Sequence, residues 1–352
     1  MKKNHRLPAI LAFISSLTFS LFCLTGCART AEPVTETGFY LDTVIQITLY
    51  ENGNRGECSQ RIKKCFSLID KYERMFSATL EGSDVWNINH GKSQEPVVIS
   101  EETGALLSTA LDYAVMTKGI VDPTIRPVSE LWDFSSQEEH HVPDNDAITD
   151  ALAHVSYKNI RFGDALYSEA DAVGYNTVIL SDPESAIDLG FIAKGYIADK
   201  LKEYLLSQGV ESACISLGGN VITIGERPDG TPFRIGIQKP FAEGGTTLGT
   251  IEIRDLSVVT SGIYERCFYE NDVLYHHVLD TATGYPVDNE LASVTIICES
   301  STKADALSTS CLCMGLEKGR QYLDREGVEY LLITKDGTQY VSENFPVISE
   351  SP

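Results

Sequence analysis

Near the C-terminus the run Lys303 to Gly315, KADALSTSCLCMG, carries two residues fit for chemistry. Ala304, Leu307, Leu312 and Met314 favour a buried helix, and Gly315 stands where a C-cap glycine belongs. On such a helix Asp305 and Thr309, four apart, lie on one face. A carboxylate and a hydroxyl there offer two hard oxygens to a cation such as Mg2+. The helix alone also permits a plainer reading, with Asp305 as a helix-start residue and Thr309 bonding back to a carbonyl.

Other segments place polar groups in turns. Asp188-Leu-Gly-Phe-Ile-Ala-Lys-Gly-Tyr196 is a glycine-containing turn opening a helix, with Lys194 in its first turn. Helix N-terminal amides and a lysine suit an anionic group such as a phosphate, although the spacing fits neither the P-loop nor the dinucleotide fingerprint. Leu217-Gly-Gly-Asn220 reads as a plain turn or as a place where backbone approaches a ligand. Val259-Thr-Ser-Gly-Ile-Tyr-Glu-Arg266 puts hydroxyls and a glycine at a strand end. Tyr275-His-His-Val-Leu-Asp-Thr-Ala-Thr-Gly-Tyr-Pro286 sets adjacent histidines on opposite faces of a strand, where a structural role is the ordinary one.

The elements that must position these groups are short and mixed. β-Branched, alternating runs predict strands at 43–50, 97–99, 160–162, 176–180, 213–216, 221–224, 233–238, 250–253, 257–259, 273–279 and 294–297, with a closing hairpin of 328–334 and 339–341 through Asp336-Gly337. Helical spacing marks 58–75, 101–117 after Ser100, 147–154, and a helix from the Asp188 turn to about 208. Residues 135–146 read as an acidic surface loop. No repeat or linker interrupts 38–346, so the fold expected is one α+β domain with mostly antiparallel sheets flanked by helices, followed by a tail at 347–352.

Residues 1–26 stand apart. Lys2, Lys3 and Arg6 precede an apolar run, Leu7 to Leu24, and then Leu24-Thr25-Gly26-Cys27. That order looks like a bacterial lipoprotein signal, in which Cys27 would be lipidated and residues 27–37 form a polar tether; an ordinary signal peptide or a single membrane anchor is the plainer reading. Either reading places the body outside the cytoplasm, beside a membrane. The net charge is −22, and since the leader holds three cations and no acid the remainder stands near −25. Such a surface repels nucleic acid, so no nucleic-acid partner is expected, and an anionic substrate would need a local cation or metal. Beyond the leader and Cys27 seven cysteines remain, with no CxxC or zinc-type spacing, so mainly free, buried thiols are expected.

Taken in order, these segments resemble the FAD:protein FMN transferases, the ApbE or thiamine-biosynthesis lipoprotein family. The resemblance rests on Leu41-Asp-Thr43, Ser77 with Ser83 and Asn89, Asp122-Pro-Thr124 with Pro127 and Leu131-Trp132, and the four turn segments and the Ala304 to Thr309 run above. It covers roughly Gly38 to Gly315. It implies transfer of FMN from FAD to a serine or threonine hydroxyl of an acceptor flavoprotein subunit, with AMP leaving. It also implies Mg2+ held by Asp305, Thr309 and the carbonyl of Phe191. Lys194 would meet the FAD phosphates or ribose, and Asp188 a polar group of FAD. Leu41, Thr79, Ile120, Val121, Asp122, Leu279 and Ser308 would contact FAD, and His277 would be the base for the incoming hydroxyl.

The chain departs from the family pattern in places. Leu41 replaces a methionine near the flavin, Asp42 a glycine and Thr79 a frequent aromatic; Phe191 replaces the second glycine of the Asp188 turn, and the loop after Asp280 lacks its proline. None removes an implied ligand or base. The same residues would also serve Mg2+-dependent hydrolysis of FAD to FMN and AMP, and a lipid-anchored FAD-binding protein without turnover is the non-enzymatic alternative.

Overall fold

The computed structural model describes residues 32–51, 54–134, 140–163, 176–242 and 246–350. The leader, Cys27 and the first part of the expected tether, to residue 31, lie outside the described residues. The chain opens in a hairpin of β1 (Val34–Tyr40) and β2 (Thr43–Leu49). Part of the segment expected as tether is therefore strand: Val34 to Thr37 pair with Leu49 to Gln46. Helix α1 (Arg55–Phe76) follows, then α2 (Asp84–Asn89), β3 (Val97–Val98), α3 (Glu101–Thr117), α4 (Arg126–Trp132) and α5 (Asn145–Leu152). Next come β4 (Ile160–Phe162), β5 (Thr177–Leu180), α6 (Ala193–Ser207), β6 (Ala213–Leu217) and β7 (Asn220–Ile224). The strands β8 (Phe233–Gln238), β9 (Thr247–Ile253), β10 (Ser257–Gly262), β11 (Cys267–Glu270), β12 (Val273–His276) and β13 (Leu291–Cys298) lead into α7 (Ser301–Met314). The described chain closes with α8 (Leu316–Glu326), β14 (Glu329–Thr334) and β15 (Gln339–Val341).

The central sheet runs β1-β2-β6-β7-β10-β13-β14-β15, and its paired strands are antiparallel. Smaller sheets are β3-β5-β4, β8-β9 and β11-β12. Both faces of the central sheet are covered, which is why β13, LASVTIIC, is apolar almost without alternation and buried along nearly its whole length. One face, with Ile215, Ile222, Val259, Ile296 and Leu332, joins the large core under α1, α3, α6 and α7. The other, with Val258, Ile297, Leu331 and Ile333, packs on the β8-β9 ribbon through Phe233, Ile235, Ile251 and Ile253. A third, small core gathers Val128, Trp132, Ile148 and Leu279 under α4 and α5. All seven described cysteines are free; Cys58, Cys65 and Cys311 are buried and the other four half-buried. No helix among the described residues is long and apolar enough to cross a membrane.

The expected α+β architecture is what forms. The helix expected over 147–154 forms over 145–152, taking in the last two residues of the expected acidic loop, and 135–139 lie outside the described residues. The strand expected over 273–279 stops at His276, and the tail is tied back where Ser349 and Thr250 exchange backbone bonds of 2.8 Å.

Candidate active site

Helix α7 is anchored from outside itself. Ser300 caps it, accepting from the Lys303 N–H, and Asp199 of α6 accepts from the N–H groups of Ser301 (2.8 Å) and Thr302 (2.9 Å) and from the hydroxyls of Ser300 and Thr302. Asp305 therefore stands beyond the first turn with no capping work to do on its own helix. Thr309 does not bond back to a carbonyl either; that role falls to Ser308, whose hydroxyl donates to the Asp305 carbonyl, and to Ser310. Thr309 Oγ1 instead lies 3.2 Å from the Ser261 hydroxyl, which also meets Ser308 at 2.8 Å. The plainer reading of both residues fails on this geometry.

The first turn of α6 meets this face of α7. The Gly195 N–H donates to Asp305 Oδ2 at 2.8 Å instead of turning back to Phe191, and no donor among the described residues takes the Phe191 carbonyl. Glycine is required here because an added Cβ would lie 2.7 Å from Asp305 Cβ and strike the Ser301 carbonyl. The Asp188 turn is fixed from behind. Asn89, at the end of α2, clasps Ile187 through both backbone groups (2.9 and 2.6 Å), and Ser83 caps α2. Asp188 accepts from Gly190 N–H at 2.7 Å, bonds the Pro123 carbonyl through its own N–H, and sits 3.9 Å from Arg126.

The charges converge. Burial pushes the Asp305 carboxyl up to about 6, opposed by Lys194, by the Gly195 bond and by the nearby Asn220 amide. Burial likewise raises Glu265, against the pull of Lys194 and Arg266. His277 is half-buried; desolvation, with Arg266 and Lys194 at hand, pushes its imidazole down to about 3. Its backbone N–H donates to the Arg266 carbonyl at 3.1 Å, and its Nδ1 lies 3.3 Å from the same oxygen. A carbonyl only accepts, so Nδ1 carries the proton and Nε2 the lone pair. Lys194 is thus felt by Asp305, Glu265 and His277 alike. Arg266 reaches on to Asp42, 3.9 Å away at the tip of the β1-β2 hairpin, where Leu41 and Asp42 both adopt left-handed φ (53° and 56°) and Leu41 N–H donates to Glu73. A two-residue turn of that type favours glycine or asparagine, so a leucine there is held by its surroundings.

Other expected positions fall elsewhere. Ser308 is wholly buried with its hydroxyl turned to Asp305 and Ser261, so it stiffens the helix and has no face open to FAD. Leu279 belongs to the small core with Val128, Trp132 and Ile148. The Asp122 carboxylate is buried and committed to its own loop, accepting from Thr124 N–H (2.8 Å) and hydroxyl and from Tyr157 N–H (2.7 Å). Val121 is buried beside it, which leaves Ile120 as the half-open member of that trio. Thr79 stands on an exposed turn, held by Ser77. The anchoring by Asp199 and Ser261 was not foreseen. Asp199 lies in a segment whose spacing is unremarkable, and Ser261 reads from sequence only as one hydroxyl at a strand end; the packing of α6 and β10 on α7 reveals what each holds.

The donor set fits a hard cation. Asp305, Thr309 and the Phe191 carbonyl are oxygens, the carbonyl is without a donor, and a neutral pair beside one carboxylate suits an ion that also binds substrate phosphates. No cluster of three or more histidine, cysteine, aspartate or glutamate side chains able to hold a metal occurs among the described residues.

A sequence profile of the ApbE family matches residues 41–332. The chain is 37% identical over 274 residues to an FAD:protein FMN transferase of Klebsiella pneumoniae, covering 78% of this chain and 82% of that protein. It is 31% identical over 320 residues to one of Treponema pallidum, covering 88% and 87%. Among solved structures it is similar to the ApbE protein of Thermotoga maritima (33% identity, TM-score 0.79, 89% and 97% covered). It is similar also to the flavin transferase ApbE of Vibrio cholerae (28%, TM-score 0.76, 90% and 98%). By profile, relatives and fold, this chain belongs to the ApbE family.

Proposed function

We propose that the protein transfers FMN from FAD to a serine or threonine hydroxyl of an acceptor flavoprotein subunit, releasing AMP, with Mg2+ as the required ion. The observation that carries this reading is the Gly195–Asp305 bond, which brings the turn before α6 to the one polar face of α7 with Lys194 alongside. Asp305, Thr309 and the Phe191 carbonyl would hold the ion. Bound there, Mg2+ supplies Lewis-acid neutralisation of the pyrophosphate. Lys194 and Arg266 add positive charge where phosphate oxygens would lie, which positions the anion and stabilises charge as it builds.

His277 takes the proton of the incoming hydroxyl on Nε2, the tautomer being fixed by the Arg266 carbonyl. A group pushed down to about 3 is a weak base, but the cause is partly cationic, through Arg266 and Lys194. Phosphate anions beside those two side chains cancel that effect and return the imidazole toward its ordinary range. The leader and Cys27 support an extracytoplasmic, lipid-anchored site of action, and the acidic surface argues against nucleic acid. Chromatographic analysis of a reaction containing FAD, Mg2+ and acceptor tests the chemistry: AMP should appear in step with acceptor-bound flavin. Free FMN equal to the AMP released would replace transfer by hydrolysis.

A further inference from the structure

The turn between β6 and β7 holds a group that the proposed reaction does not use. Asn220 opens β7 and is wholly buried, yet neither its Nδ2 nor its Oδ1 has a hydrogen-bond partner among the described residues. An amide sealed from water with both ends unpaired is a desolvation cost that an apolar side chain of similar volume would avoid. The backbone explains the placement but not the residue type. Asn220 pairs with Leu217 across the tight Gly218-Gly219 turn and with Val259 of β10, interactions that any strand residue could make.

What lies in front of the amide is α7. Asn220 is near enough to Asp305 to favour its ionised form, although the contact falls short of hydrogen-bond geometry. Gly195 already occupies Asp305 Oδ2 from the α6 side, so Asn220 approaches a carboxylate held at one oxygen. Hydrated Mg2+ keeps several waters, and its ligands are oriented by outer partners that donate to the ligand or accept from those waters. An amide has both capacities in one side chain.

We propose that Asn220 is a positioning residue for a divalent cation at Asp305, its Nδ2 donating to the carboxylate and its Oδ1 accepting from a water of the bound ion. The inference rests on the reading of Asp305, Thr309 and Phe191 as the cation site. It gives the Leu-Gly-Gly-Asn turn a role beyond reversing the chain: the small, tight turn brings the first residue of β7 beneath α7, and that residue serves the ion.

The test is Mn2+ binding to the full chain in detergent, read by electron paramagnetic resonance, alongside the melting temperature of the metal-free protein. Asn220→Leu should weaken Mn2+ by roughly 10- to 100-fold while leaving the metal-free melting temperature unchanged or higher. Asn220→Ala, which cannot overpack, should weaken the ion equally, and guards against a leucine variant that fails to fold. Unchanged Mn2+ affinity in a folded variant overturns the inference. So does a lower metal-free melting temperature with unchanged affinity, since that marks a structural amide. If wild type binds Mn2+ no better than Asp305→Ala, the cation reading itself falls and takes the inference with it.

Discussion

At the scale of single residues the site is a balance between burial and local charge. Asp305 is raised from 3.8 to about 6 in the folded, metal-free protein, chiefly by burial. A raised carboxyl favours the fold below its unfolded value, and that contribution is lost as pH rises through about 6. Asp305→Asn should therefore stabilise the metal-free protein above pH 6 by up to roughly 3 kcal/mol, measured by denaturant titration, while activity drops by at least about 10²-fold. A variant less stable than wild type at pH 8 would contradict the burial argument. His277 gives a second expectation. The acid limb of kcat/KM reports the free enzyme and that of kcat the bound complex. Since phosphate binding offsets Arg266 and Lys194, the kcat limb should fall at the higher pH; coincident limbs would remove the substrate-induced shift.

At the scale of elements, α7 and the turn before α6 are the working pair, and both are positioned by residues distant in sequence. Gly195→Ala should force the two apart, abolishing Mg2+ binding in a protein whose far-ultraviolet circular dichroism is unchanged; full binding would show that the close approach is not required. Asp199→Ala removes the acceptor of four bonds at the start of α7. It should cost about 2 kcal/mol in denaturant unfolding, with weaker Mg2+ binding following from a frayed first turn.

The same distances decide what could be read from residues alone. The apolar run with Asp305 and Thr309 announces α7, and Ser100 announces α3, because those signals are local. Helix α8 escaped notice because LEKGRQYLDRE is polar and glycine-interrupted, and its burial of Tyr322 and Leu323 depends on docking against the core. Strand β1, VTETGFY, reads as polar because its pairing with β2 rather than its composition makes it a strand. At the site, the proposed ligands Asp305 and Thr309 stand out by their spacing, whereas Phe191 and His277 are singled out only by the resemblance to the family. The inward turn of Ser308, the packing of Leu279 and the self-contained Asp122 loop were not, since each depends on which face the tertiary structure buries.

At the scale of the whole molecule, one sheet covered on both faces makes a rigid platform. Helices α6 and α7 and the turn after β6 meet on one side of it, and the β1-β2 hairpin reaches the same place through Asp42 and Arg266. The most direct test is the intact mass of an acceptor subunit after incubation with the protein, FAD and Mg2+. The account predicts a gain of one FMN, abolished by EDTA, by Asp305→Ala and by His277→Ala. An acceptor of unchanged mass while FAD is consumed, or a gain that survives loss of Asp305, would contradict it.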